Sequence, residues 1–524
     1  MDTVDTNAGL PVCRIARQLF DRLALQFPVC MASDEFHFFP QARSETPDWS
    51  RWDDFSPEAI QAVTRQMAAW DLDLAACDNP GFPLEERIDI GLLRRVIQTL
   101  CEQLTEIAAH QTQPSFYLTI LGVGLAEAID AGSEAMHARM TGLPAFLDGA
   151  RRNLRRIPGL FRELGHEMID RLTPWLLSLD FPSSVVGPVV DSLERLRGHL
   201  NRIPTTDTFL LPGELYKRVA ARHMGCLMPL DEIALQLDGE ILETRSILER
   251  SASQLEPGTP WPRVVSAFCS PDLPPGGAIQ LYQSVISDLA DHCLSTGLAS
   301  PDLIRRCPVR VKPIPDYLLP VRSGAAFSMP PGYPPAGGTF YLAGSGQHFV
   351  VPPDYRLLCA HETYPGHHLL DTRRWGLERW IRRHVEFPIF YEGWASFSEE
   401  LLFDTGFFAG ARDRMLIAKR RFWRAVRGRV DLDIHSGKRS LADAAFFLVD
   451  QGMDVQKAAA MVWRYALKPG YQLAYTIGRR RFRSLYEKSR ENGQSPVAFA
   501  QHVLSGGEIG FDDLKNTLLQ GGVL

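Results

Sequence analysis

Several features that would place this chain in a familiar class are missing from its 524 residues. The first residues, Met1–Asp5, are acidic and lack the basic and apolar regions of a signal peptide. No uncharged apolar run is long enough to span a bilayer, and a formal net charge of −6 gives no basic excess for nucleic acid. We therefore expect a cytoplasmic protein with neither a nucleic-acid partner nor a membrane partner.

Cysteine is scarce and unpatterned. The chain has nine cysteines, an odd number, and none of them forms a CxxC pair. This argues against a disulfide framework and against a cysteine zinc site, and it favours a reducing compartment. Sequence repeats of 20–50 residues are also missing, which argues against a solenoid.

The composition is that of a globular protein with a sizeable core, since 45% of the residues are hydrophobic and 23% are charged. Helical periodicity dominates residues 1–300 and returns over 354–524. Between them, 307–353 contains two alternating stretches, Pro308–Pro313 and Gly337–Leu342, that are typical of strands. We predict a mainly α protein, one large helical domain over the whole chain (1–524) with a small β-ribbon before its last helical part.

The helical periodicity also gives approximate helix positions. We predict helices near 90–110, 115–131, 144–175, 185–200, 213–224, 230–254, 354–364, 367–384, 390–405, 410–435, 440–451, 454–466, 470–490, 495–503 and 511–518. Asp231, Ser440 and Asp454 are the expected N-caps of three of them, because their side chains can accept a hydrogen bond from the first helical turn.

A histidine motif, HETYPGHH at 361–368, lies in the last helical part. Zinc proteases carry His-Glu-x-x-His, in which histidines four residues apart share one helix face, and proline breaks this pattern here. On a straight helix His361 and His367 would point roughly 240° apart, and His361 and His368 would stand about 10.5 Å apart. A bulge at Pro365 and the following glycine would bring His367 beside His361; His368 is the alternative.

Acidic residues complete a candidate zinc site. Glu362 follows the first histidine and would face the open coordination position, where a general base belongs. Zinc needs a third protein ligand, and Glu392 opens the segment EGWASFSEE a helix and a turn after His367. Glu399 lies two turns further along the same face and suits a hydrogen bond from a ligand histidine. Zn²⁺ is the expected metal, and another divalent ion would suit the same ligands.

Two further groups are candidates for the site. Arg427, Asp431 and His435 follow at intervals of four in an apolar segment, which fits either an intrahelical salt-bridge ladder or an active-site face. The strand through Gly338–Tyr341 precedes the motif, and we expect it to offer an open edge at which a peptide docks.

Three segments together, HETYPGHH, EGWASFSEE and PGYQLAYTIG, resemble the domain-of-unknown-function 885 family (DUF885). These bacterial proteins resemble zinc metallopeptidases of the gluzincin type, and the family's usual forms are close to HEAYPGHHLQ, EGWALYSE and PGQALSYKIG. The resemblance covers nearly the whole chain. It implies a largely helical fold with a central cleft, similar to the oligopeptidase and angiotensin-converting-enzyme group, and it selects His361, His367 and Glu392 as the metal ligands.

The resemblance also assigns roles beyond the ligands. It favours the active site for Arg427, Asp431 and His435, and it places Tyr475, on the same predicted helix as Tyr471, near the oxyanion of a tetrahedral intermediate. The chain departs from the family at three places in these segments: Leu370 and Tyr471 stand where glutamine is usual, and Phe397 stands where tyrosine is usual. No departure removes a ligand or the base, but the usual substrate preference need not apply.

The expected function is a zinc-dependent hydrolase of the metallopeptidase type. A metal-activated water would attack a short peptide or small amide, with Glu362 as general base and His435 or Tyr475 at the oxyanion. Two alternatives stay open: a metal-dependent biosynthetic enzyme acting on a non-peptide amide or aminoacyl conjugate, and a metal-stabilised binding protein without catalysis.

Overall fold

The computed structural model describes residues 11–44, 46–77, 80–315, 325–342 and 351–524. These residues form two compact units. The first holds the described residues up to Phe209, and the second holds those of 210–314, 325–329 and from Tyr333 onwards. The division therefore falls well before residue 300, where the sequence analysis placed the end of the first helical part. A single domain over 1–524 stays a prediction.

The first unit is helical and carries one pair of very short strands. Its helices, α1 to α9, are Pro11–Gln26, Pro28–Met31, Pro57–Cys77, Leu84–Glu102, Ala109–Thr112, Pro114–Ala131, Ser133–Asn153, Gly159–Ser178 and Ser183–Arg202. Strands β1 (Ile157–Pro158) and β2 (Thr205–Thr206) pair in parallel. The single helix predicted over 144–175 is wrong, because Ile157 and Pro158 pair with Thr205 and Thr206, and a new helix begins at Gly159.

The second unit holds the remaining helices and a three-stranded sheet. Helices α10 to α24 are Gly213–Arg218, Leu230–Leu255, Trp261–Ser266, Gly277–Thr296, Pro301–Arg306, Tyr355–Glu362, His367–Trp375, Trp380–Arg383, Pro388–Asp404, Gly410–His435, Leu441–Asp450, Val455–Leu467, Leu473–Glu491, Pro496–Ser505 and Phe511–Gln520. Within the described ranges, no helix of either unit is both long and apolar enough to cross a membrane. The mainly α fold class is confirmed.

The boundaries in this unit mostly follow the sequence. Ser440 and Asp454 cap their helices as predicted, accepting hydrogen bonds from the backbone N–H groups of Asp443 and Lys457. Asp231 is not a cap, because the helix already begins after Pro229 and Asp231 lies in its first turn. The helix predicted over 367–384 is too long, since α16 ends at Trp375.

The sheet consists of β3 (Val309–Pro313), β4 (Ala326–Ser328) and β5 (Gly338–Leu342), in the order β3-β5-β4. Strand β5 is parallel to β3, with Val309 opposite Gly338, and antiparallel to β4, with Ala326 opposite Tyr341. The open edge predicted at Gly338–Tyr341 is therefore wrong: β5 is the central strand, and its backbone groups face a neighbour on either side.

Helices α18 and α22 approach each other at backbone distance. A Cβ added at Gly393 would lie 2.6 Å from the Cα of Gly478, and a Cβ added at Gly478 would lie 2.1 Å from the carbonyl oxygen of Ile389. No side chain fits at such separations. The glycines of the EGWA and YTIG segments thus let the helix bearing Glu392 pack directly against the one bearing Tyr475.

A buried ionic cluster ties α11, α19 and α22 together. The Glu240 carboxylate accepts hydrogen bonds from Arg421 Nε at 2.8 Å, Arg479 Nη2 at 2.6 Å and Arg480 Nη1 at 3.1 Å. Burial alone would raise the pKa of Glu240, but the charges of Arg479 and Arg421 outweigh it and lower the pKa to about 2. The carboxylate is therefore ionised at neutral pH.

Replacing Glu240 with glutamine is expected to lower the free energy of unfolding by about 3 kcal/mol at pH 7, because the depressed pKa of the buried carboxylate corresponds to roughly that much stabilisation. The three arginines lose the carboxylate that they share, and each keeps a contact with Glu243 or Glu400. Since the folded-state pKa is depressed, the carboxylate stabilises the fold above pH ~4.5, and this contribution disappears as the pH falls towards 2. Urea unfolding at pH 7 and pH 3 measures the change. A difference between wild type and variant that stays constant with pH would contradict it.

Candidate metal centre

The histidine motif lies at a complete break between two helices. Helix α15 ends at Glu362 and α16 begins at His367, and the Tyr364–Pro365 peptide bond between them is cis. At Gly366 an added Cβ would lie 1.9 Å from the carbonyl oxygen of His361, so only glycine fits. The sequence predicted an interruption at this proline, between helices near 354–364 and 367–384, and pictured it as a bulge; the structure shows a complete break.

The break brings three buried side chains together. The Nε2 atoms of His361 and His367 lie 3.5 Å and 3.4 Å from Oε2 of Glu392, and the candidate ligand atoms of the three residues all lie within 4.8 Å of one another. Oε2 of Glu392 is buried and has no hydrogen-bond partner. Two imidazole nitrogens and one carboxylate oxygen form a donor set that zinc takes in catalytic sites, with a fourth position left for water.

His368, the alternative second ligand, lies away from this group. Its Nε2 atom is 3.0 Å from both the carbonyl oxygen of Cys307 and the hydroxyl of Tyr364. The ring is fully buried, and burial lowers its pKa to about 4. His368 therefore packs as a neutral core residue behind the helix break.

Glu399 lies behind His361, as the sequence suggested. Its Oε1 atom is 3.2 Å from Nδ1 of His361, and Arg424 Nη2 donates to the same oxygen at 2.6 Å. Arg424 Nη2 also lies 3.1 Å from Nδ1 of His361, but arginine has no acceptor atom. In the tautomer with Nδ1 protonated, Nδ1–H donates to Glu399, and the Nε2 lone pair is free to face Glu392 and His367. Burial raises the pKa of Glu399, but Arg420 and Arg424 outweigh it and hold the carboxylate ionised.

The sequence analysis missed Arg420 and Arg424. Arg420 donates to both Glu399 oxygens at 3.2 Å and to Asp354 at 3.0 Å. The available signal was their spacing: Arg420, Arg424 and Arg427 recur at four and three residues, along one face of α19.

Glu362 is buried at the end of α15, next to the first histidine. Burial raises its pKa to about 7, the charge of His367 opposes this, and the nearby backbone of Phe327 in β4 also acts to lower it. A divalent cation beside Glu362 would favour its ionised form. This strand, rather than β5 with Gly338 and Tyr341, is the one that contacts the carboxylate.

Tyr471 and Tyr475 reach the group from the start of α22. The Tyr471 hydroxyl donates to Oε1 of Glu392 at 2.7 Å, and Tyr475 lies close enough for the charge of Glu392 to raise its pKa. The Tyr475 ring stacks on the His361 ring, with centroids 6.4 Å apart. Burial raises the pKa of both tyrosines well above the usual range, so both are hydrogen-bond donors.

Asp431 and His435 hold the turn before α22 rather than joining the metal ligands. Asp431 accepts hydrogen bonds from the backbone N–H groups of Gly470 and Gln472 at 2.9 and 2.8 Å. His435 Nε2 lies 3.0 Å from the carbonyl oxygen of Tyr465, and burial lowers the pKa of His435 to about 4. Of the salt-bridge ladder that the spacing allowed as one interpretation, Nε2 of His435 lies 3.7 Å from Asp431, but in the described part of the chain Arg427 forms no ion pair with Asp431.

Replacing Tyr471 with phenylalanine is expected to lower zinc affinity by about 10–100-fold, because Glu392 loses the hydroxyl that orients its carboxylate. Competition with a chromogenic chelator measures the affinity. Tyr333→Phe, at an exposed tyrosine, is the control. An unchanged zinc affinity in Tyr471→Phe would show that the hydroxyl does not position the ligand.

Comparison with known proteins agrees with the family resemblance. Residues 43–518 match the family described as "Bacterial protein of unknown function (DUF885)", and the chain belongs to this family. No curated protein matches the sequence. The fold is shared with two solved structures: "a putative lipoprotein of unknown function" from Shewanella oneidensis (TM-score 0.74, 16% identity, 98% of this chain and 100% of that chain) and "the putative lipoprotein" from Colwellia psychrerythraea (TM-score 0.68, 16% identity, 98% of each chain).

Proposed function

We propose that this protein is a zinc-dependent hydrolase of the gluzincin metallopeptidase type, which cleaves a peptide or small amide bond in a central cleft. The supporting observation is the unpartnered Oε2 of Glu392 facing the Nε2 atoms of His361 and His367. Zinc bound by these atoms would supply a water of lowered pKa and an electrophile for the substrate carbonyl.

The side chains around the proposed metal each have a separate role in the reaction. Glu362 accepts the proton of the attacking water and later delivers it to the leaving amine. Glu399 and Arg424 keep the His361 ring oriented during these steps. Of the two oxyanion candidates, contacts favour Tyr475, which lies against His361, over His435, which is directed at a backbone carbonyl.

The test is metal content followed by turnover. Protein purified without added metal is analysed for zinc, and then incubated with a library of internally quenched short peptides and with small aryl amides. We expect about one zinc per chain, and hydrolysis that a chelator removes and added zinc restores. A zinc-loaded protein that cleaves none of these substrates would contradict the proposal.

A metal-dependent biosynthetic enzyme acting on a non-peptide amide or aminoacyl conjugate is the second candidate. It is favoured by Tyr471, which stands where the family usually has glutamine and contacts the proposed ligand Glu392 directly. Turnover of ordinary peptides by the zinc form would count against it. A binding protein without catalysis has less support, because it leaves a buried carboxylate at Glu362 without a purpose.

We also propose the cytoplasm as the location, because all nine cysteines are free. Cell fractionation tests this. Recovery in the membrane fraction would instead match the description of the two solved structures as lipoproteins.

A further inference from the structure

One arginine near the candidate metal centre lacks the counter-charge that its neighbours have. Five other buried or partly buried arginines in the second unit pair with carboxylates: Arg374, Arg420, Arg421, Arg424 and Arg479. Arg427 is partly buried, and its Nε is buried without an acceptor. Within the described ranges, its guanidinium forms no ion pair. An unpaired charge held out of water is costly, unless a ligand supplies the opposite charge.

Arg427 is directed towards the metal centre. Its Cζ atom lies 5.4 Å from the centroid of the Tyr475 ring, and Cζ of Arg424 lies 5.9 Å from the same ring. Tyr475 in turn stacks on His361. Thus a single aromatic ring separates the unpaired guanidinium from a proposed zinc ligand.

A second donor without a partner lies near Arg427. The Tyr465 hydroxyl is buried and has no hydrogen-bond partner. Burial raises the pKa of Tyr465, and the nearby charge of Arg427 lowers it by a smaller amount. An arginine fork and a protonated tyrosine hydroxyl together supply donors that a carboxylate accepts.

We propose that Arg427 binds a carboxylate of the substrate one or two residues from the bond that is cleaved, so that the preferred substrate is an acid rather than its amide. An extended residue spans about 3.3–3.6 Å, which lets such a carboxylate reach past the Tyr475 ring. The carboxylate is either the free carboxyl terminus of a short peptide or an acidic side chain. This inference rests on the proposed hydrolase, because the separation of one or two residues is counted from the bond that the hydrolase cleaves.

Binding, measured separately from turnover, tests the inference. Zinc-loaded Glu362→Gln protein is titrated calorimetrically with N-acetyl-alanyl-alanine, with its carboxamide, and with N-acetyl-aspartyl-alanine amide. We expect at least one of the two carboxylates to bind about tenfold or more tightly than the uncharged amide. Preference for the free terminus indicates removal of a terminal residue, and preference for aspartate indicates an acidic side-chain subsite. Equal affinity for all three ligands would overturn the proposal.

Arg427→Met, made in the same background, is expected to reduce this preference to about one. The melting temperature should change little, because no ion pair is lost and methionine keeps an apolar side chain beside the Tyr475 ring. Arg414→Met, which removes an exposed arginine from the same helix, should keep the preference. A preference that survives Arg427→Met would mean that zinc alone holds the carboxylate, and would contradict the assignment.

If Arg427→Met does not fold, Arg427→Lys keeps the charge without the fork and should still weaken the preference.

Two results separate this inference from the proposed function. An arginine-dependent acid preference without turnover of any substrate would contradict the hydrolase and leave the carboxylate site. Turnover by the wild type, together with equal affinity for the acid and the amide, would support the hydrolase and contradict the carboxylate site.

Discussion

Replacing Glu362 with glutamine is expected to leave zinc bound and to lower kcat by about 10²–10⁴-fold. The carboxylate is buried beside His361 and next to the proposed metal ligands, but it is not one of them. Glutamine keeps the size and polarity of the side chain and cannot accept the proton of the attacking water. Zinc content and kcat are measured on the same preparation.

Glu487→Gln is the matched control, since this glutamate is exposed on α22 and far along the helix from Tyr475. We expect it to retain wild-type turnover. Full activity in Glu362→Gln would exclude this residue as the general base and return the mechanism to the biosynthetic alternative. Loss of zinc in Glu362→Gln would instead show that the residue helps to hold the metal.

Replacing His367 with alanine is expected to lower zinc affinity on the order of a thousandfold and to reduce activity to background, because one of three ligands is lost. His368→Gln should keep zinc and most of the activity. Glutamine at this position still donates towards the carbonyl oxygen of Cys307. The two variants change adjacent residues and separate the two possible ligand sets.

Zinc affinity and melting temperature are measured for both variants. A stable His368→Gln protein without zinc, beside a His367→Ala protein that keeps it, would reverse the ligand assignment. We expect His368→Gln to lower the melting temperature more than His367→Ala, since His368 is fully buried among core residues. Metal binding and fold stability would thus respond to different histidines of the same pair.

The helices of the second unit were largely predictable. Helix α19 runs from Gly410 to His435, as its periodicity indicated, and Ser440 and Asp454 cap as expected, because both signals are local. The prediction at Gly338–Tyr341 failed for the opposite reason. Which edge of a strand is open depends on β4, whose alternation is too short to recognise in the sequence.

The chemistry of the candidate site was also partly local. Residue types and order, with the family resemblance, selected His361, His367 and Glu392, and the structure places these three together. Spacing could not show that His435 is directed at a backbone carbonyl while Arg424 is directed at Glu399. Both lie on α19, and only packing against α15, α21 and α22 decides which of its faces meets which neighbour.

The sequence by itself determined the helical class, the break at Pro365 and the identity of the donor atoms, because periodicity, proline geometry and ligand chemistry are carried by neighbouring residues. Tertiary structure decided which donors meet. Gly366 fits only because a backbone oxygen lies where a Cβ would be, and Gly393 and Gly478 let two helices touch. Among the described residues Arg427 has no carboxylate partner, whereas Arg420 and Arg424 on the same helix have one. Only the three-dimensional surroundings of each arginine decide this.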